Sequence, residues 1–508
     1  MEKKFFSGMA VLLIASLFFL GCPTDGDDDD TPPPSKSEAE TLVDDLGGKA
    51  TVDGKVVTLT DDVELAKDVT IPNDVTLKID AGKTLTVPKD RTLTVTGTLN
   101  GADTTSKLKV DADATVTGIA AGKTYVWDDT SWLDETVYTA AKSLAENAAF
   151  TGKATRTGAT VTLSADVTVA TTNAATVAEG VTLVTGAHEL NVTGAFPVAG
   201  TITVKTGGTL KVPALDGTGQ PVDTNTITYT GDGKVELEQG AKAYYGNSLF
   251  LFTDNTGLYK WDTDGNGSKV TLKGNNVTEL TAGKVTARAD TGIATNTSIV
   301  VANGATLTIA DSVNYLIWGT LTVKDGGTLK APALTDAQGL PLTGASVVNK
   351  IAFPDANGKV ELEQGASGYY GSSYFVSGGN TSLYTWDADG TNSKVTLKPG
   401  NVTQVDGKVT ARADTGIAQT TSIVVGQNAT LTIAVTVNFP IWGELTGSSN
   451  ATLVNNGNIS LQGGASSNFY PNASETAITT DPITTGTYKW NAAAGGGSTA
   501  GWKAQPTP

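Results

Sequence analysis

Cysteine, histidine and methionine are almost missing from this 508-residue chain, with one, one and two copies. A lone Cys22 cannot close a disulfide within the chain, and His188 alone leaves no histidine pair for a metal or a proton relay. Arginine is nearly as scarce: only Arg91, Arg156, Arg288 and Arg412 occur, and the formal charge is −17. Binding a phosphate backbone requires a concentrated basic surface, so nucleic acid is not an expected partner. Beyond the first twenty residues no apolar run is long enough to span a bilayer. Aromatic residues make up only 6% of the chain, which makes their placement informative.

The chain opens with MEKKFFSGMAVLLIASLFFLGC, in which Lys3 and Lys4 precede an apolar run from Phe5 to Leu20, followed by Gly21 and Cys22. A charged start and a short apolar stretch read as a secretory signal. A lone cysteine after a small residue at that point resembles the lipobox of bacterial lipoproteins. With Phe19 and Leu20 ahead of it, it is similar to the looser spirochaete-like form. The resemblance implies that residues 1–21 are a removed signal peptide and that Cys22 is lipidated. The chain would then be exported and anchored to the cell envelope, at the outer membrane or cell surface. Residues 22–40 would follow as an acidic, proline-rich tether, because PTDGDDDDTPPPSKSE combines like charges with polyproline geometry.

Internal repeats dominate the rest. KVELEQGA at Lys234 returns at Lys359, and KVTARADTGIA at Lys284 returns 124 residues later at Lys408. Weaker copies start at Val57 and Val161, and they align Asp62, Asp166, Asp290 and Asp414. Four modules are expected: 41–136, 137–268, 269–393 and 394–508. Leu59, Leu65, Ile71 and Leu77 fall every six residues in Val-Thr-Leu-like triplets, with Asn-Asp, Ala-Gly and Lys-Asp pairs between later triplets. Branched side chains flanked by threonine suit a pleated surface, and the pairs suit corners.

Such short, evenly spaced strands resemble the parallel β-solenoid or β-helix. The expected fold is all-β, a solenoid of four modules with some twenty rungs; a string of four antiparallel β-sandwich modules is the alternative. SEAETLVDDLG from Ser37 and VYTAAKSLAENAAF from Val137 are predicted helices that cap a β stack.

Tyr-x-Trp occurs once per module, as Tyr125/Trp127, Tyr259/Trp261, Tyr384/Trp386 and Tyr488/Trp490. Residues two apart share a strand face, so each pair presents two rings together. Sealing a module is the expected role, and a sugar-stacking platform is the alternative. Tyr244, Tyr245, Tyr369, Tyr370, Phe469 and Tyr470 follow glycine-rich corners and are candidate ligand-binding residues. Asp262, Asp264 and Asn266 have the spacing of a calcium loop, but Lys273 stands where a bidentate glutamate belongs, and a polar turn explains them equally. Glu236/Glu238 and Glu361/Glu363 are duplicated strand pairs, as are Arg288/Asp290 and Arg412/Asp414, whereas a catalytic set normally occurs once. The expectation is a non-enzymatic surface or envelope protein, structural or adhesive, with no cofactor. Its partners would be the membrane through its lipid and a polysaccharide or host surface, with carbohydrate binding the second reading and a polysaccharide-degrading enzyme the third.

Overall fold

The computed structural model describes residues 35–212, 227–245, 250–252, 258–262, 264, 267–288, 290–310, 313–331, 351–369, 383–417, 419–462, 469–470, 483–491 and 500–505. The chain winds as a parallel β-solenoid of about 15 turns. Each turn lays short strands on three successive faces. In the opening turn Val56–Leu59 lies on face one, Val63–Glu64 on face two and Val69–Ile71 on face three; Thr76–Ile79 then pairs in parallel with the first strand.

Alternation sets the register. Val161, Leu183, Ile202 and Val235 stack on face one and are buried, whereas the in-register Thr160, Thr182 and Thr201 are half-buried on the outer side. Each inward row therefore continues from coil to coil, which is why the triplets read alike. The corner pairs bend as their chemistry allows: Asp74, Gly82 and Asp90 take φ of 67°, 69° and 62°. Between faces three and one, space dictates the residue. A Cβ on Gly97 or Gly319 would lie 2.2 Å from the carbonyl oxygen of Pro72 or Thr297 in the adjacent coil.

Parallel pairing from coil to coil on all three faces overturns the sandwich alternative. The expected twenty rungs also shrink to about 15. Some coil steps are long, with Thr201 pairing to Lys234 and Thr320 to Lys359, and other residues enter reversals of the winding. Lys269–Lys273 runs against both Lys234–Glu238 and Val277–Ala282. Lys394–Lys398 does the same between Lys359–Glu363 and Val402–Asp406. After each reversal the coil resumes its first direction.

Two helices cap the stacks. α1 (Glu38–Asp45) starts at a capping box of Ser37 and Glu40 and buries Ala39 and Leu42. α2 (Glu135–Glu146) starts at Asp134, whose side chain accepts from the Thr136 amide, and buries Ala141 and Leu144. The core is divided here: one cluster runs from Ala39 to Tyr125, and a second runs unbroken from Ala141 to Trp502. The expected module borders at 268/269 and 393/394 fall within that second core. Arg156 of the second stack forks onto Asp128 of the first at 3.0 and 3.2 Å, with its guanidinium 4.5 Å over the Tyr138 ring.

The aligned aspartates share one task at two different corners. Asp62 and Asp166, between faces one and two, accept at 2.8 Å from the amides of Thr84 and Glu189 in the next coil. Asp290 and Asp414, between faces two and three, accept at 2.8 Å from Asn314 and Asn438. Asp68, accepting from Thr92 at 2.9 Å, is the first stack's counterpart of Asp290. The sequence alignment thus superposes different corners, because strand and corner chemistry repeats on every face.

Candidate functional site

Every Tyr-x-Trp lies on a strand that runs against the coil: Lys123–Trp127, Tyr259–Trp261, Tyr384–Trp386 and Gly486–Asn491. Tyr125 is 8% exposed and the other three tyrosines at most 1%. Their burial is possible because the hydroxyls are bonded. Tyr125 donates to the Ala120 carbonyl at 2.9 Å, Tyr488 to that of Thr484 at 2.8 Å, and Tyr259 meets the Tyr315 hydroxyl across the core at 2.9 Å. Burial pushes the Tyr259 phenol up to about 12 and raises those of Tyr315 and Tyr384.

The partner tryptophans are half-buried. Trp261 and Trp386 donate to the carbonyls of Ala241 and Ala366 at 3.0 Å. At the two stack ends, Trp127 meets Trp132 and Trp490 meets Trp502 edge-on, at 5.4 and 5.3 Å. Gly101 and Gly447 make room there, since a Cβ would come within 2.4 and 2.6 Å of the Cβ atoms of Trp127 and Trp490. These rings are therefore built into the reversals and ends of the winding.

Of the ligand-binding candidates, Phe469 is a core residue: it is 2% exposed and edge-on to Tyr488 at 5.8 Å. Tyr244 and Tyr245 lie in the strand Lys242–Tyr245, Tyr369 in Ser367–Tyr369 and Tyr470 in Phe469–Tyr470. The side chains of these four, together with Tyr370, Asn266 and Cys22, lie outside the described residues.

The acidic candidates are engaged within the chain. Asp262 accepts from the Thr286 hydroxyl at 2.7 Å, and Asp264 pairs with Lys284 at 2.6 Å. Asp387 with Thr410 and Asp389 with Lys408 repeat both contacts. The calcium-like spacing thus describes a turn clasp that ties a reversed strand to the resumed coil. Glu236 lies between Lys234 and Lys269 at 2.7 and 3.1 Å, and Glu361 between Lys359 and Lys394 at 3.0 and 3.3 Å. Burial alone would raise both carboxyls, but the paired lysines outweigh it and hold them below the usual range. Glu238 and Glu363 pair with Lys205 and Lys324 at 2.6 and 2.5 Å. Two equivalent ion ladders result, one at each reversal.

One surface escaped sequence reasoning. Trp442 is 49% exposed, on the corner after the third-face strand Asn438–Ile441. The available signal was the repeat of LIWG at Leu316 as PIWG at Pro440, which marks Trp318 and Trp442 as equivalents. Trp318 is half-buried. The fold and its closed ion ladders define a three-faced parallel β-solenoid with internal reversals. No protein-family model, curated protein or solved structure matches the chain.

Proposed function

We propose that the chain is an exported, lipid-anchored envelope protein whose solenoid serves as a structural or adhesive rod at the bacterial surface. The observation that carries this reading is the unbroken core from Ala141 to Trp502. Stacked coils with a shared core form a stiff body that repeats its outer surface along its length. With fourteen strands on face one, the second stack is ~60 Å long at the usual strand spacing. Absence of catalysis is part of the proposal, and it is supported by the duplicated Glu–Lys ladders, which tie up the paired carboxylates.

The anchor is read from Lys3, Lys4 and Cys22, in a segment outside the described residues. Cys22→Ala should release the protein from the membrane fraction, and retention there would remove the lipid anchor. Protease shaving of intact cells should digest the solenoid, whereas complete protection would end the surface reading.

A further inference from the structure

We propose that the third face of the last coils, from Asp414 to Gln462, binds a neutral polysaccharide through Trp442 and a lattice of amide side chains. Pairing places Asn438 beside Asn458 and Pro440 beside Ser460, and the parallel bridge of Ile417 to Ile441 sets Gly416 beside Pro440. Continuing the register puts Trp442 next to Gln462. The outward residues thus form rows ~4.8 Å apart between coils and ~6.8 Å apart along each strand.

The lattice is ordered from within. Asn458 donates to the Asn438 side-chain oxygen at 3.2 Å, Asn438 to Asp414 at 3.0 Å, and Gln462 to the Ser460 hydroxyl at 3.1 Å. Asp414 is the one ionised side chain in these rows, and it is held by Asn438. The reversals, by contrast, carry Lys–Glu ladders. The two most exposed large hydrophobic residues among those described, Val435 at 69% and Trp442 at 49%, bracket this same strand. Trp442 thus offers an exposed indole at the end of an ordered polar lattice, the pairing of groups that a sugar ring can use.

The chemistry selects the ligand. Amide side chains both donate and accept, as sugar hydroxyls require, and an indole face takes the apolar C–H side of a pyranose ring. An acidic polymer would be repelled by a chain of charge −17, and a basic one would find a single carboxylate. Outward side chains repeating from coil to coil suit an extended chain of repeating sugars. The equivalent Trp318 follows the strand Tyr315–Ile317; the same register sets Ala352 beside Leu316 and, continued, Pro354 beside Trp318, so the earlier copy keeps the Asn314–Asp290 contact but has neither the Ser460 nor the Gln462 counterpart.

This deepens the adhesive reading and rests on it only for access to the ligand. The test is retention of the full chain on insoluble cellulose, chitin, mannan and β-1,3-glucan. Retention on at least one is expected, weakened roughly tenfold by Trp442→Ala, weakened also by the double substitution Asn458→Ala with Gln462→Ala, and unchanged by Trp318→Ala. No retention on any of the four, or retention that survives both Trp442→Ala and the double substitution, overturns the site. Intact binding by a chain that resists protease shaving would instead overturn surface display alone.

Discussion

Tyr259 and Tyr315 share one buried hydrogen bond, and the repeat supplies a comparison, because Phe439 stands where Tyr315 would recur. Tyr315→Phe leaves Tyr259 its interaction with the Thr291 side chain and should cost ~1 kcal/mol or less, whereas Tyr259→Phe strands the Tyr315 hydroxyl in the core and should cost ~1–3 kcal/mol. Urea unfolding of the two variants checks the asymmetry; equal losses would refute it. Asp134 gives a pH prediction. Burial would raise its carboxyl, but Lys123 and Thr136 outweigh it and bring it to about 2. A pKa below the unfolded value means that its stabilisation is complete above pH ~4 and is lost as pH falls toward ~2. Asp134→Asn keeps a helix-capping side chain while removing the charge. Its melting temperature should therefore converge on that of the unmodified chain at low pH, and parallel pH profiles would refute the assignment.

Among elements, the strands and corners were legible because each is local chemistry: Leu59, Leu65 and Ile71 advertise alternation, and Asp74 and Gly82 advertise left-handed corners. Direction was not. Lys269–Lys273 reads KVTLK, the same kind of strand as KVELE at Lys234, yet the two pair antiparallel. Strand composition records which face is buried, and direction is decided by which partner the strand meets. Tyr-x-Trp was visible as punctuation, but its meaning lay in the opposing strand. Trp442 was passed over because exposure depends on neighbours in other coils. The seam between the two cores carries its own prediction. Arg156→Met leaves Asp128 buried without its guanidinium and removes the stacking on Tyr138. A loss of ~2–4 kcal/mol is expected. Calorimetry should then resolve separate transitions for the two stacks, and an unchanged endotherm would mean the pair contributes nothing.

At the scale of the molecule, the two internal reversals are interchangeable. Trp261 and Trp386, Glu236 and Glu361, and Asp262 and Asp387 make the same contacts at each. Removing Lys284–Gly407, one full repeat, therefore joins two surfaces that already fit. The shortened chain should fold with a melting temperature within a few degrees of the full one and lose ~24 Å of length, five strands on face one. Small-angle X-ray scattering measures the length, and an unfolded product would show that the two junctions are not equivalent. The divided core has a mechanical consequence. For a chain held at its N-terminus and loaded at its far end, tension must cross α2, where Arg156 and Asp128 are a principal polar tie. Under such a load the first stack, with the smaller core, would yield before the longer one.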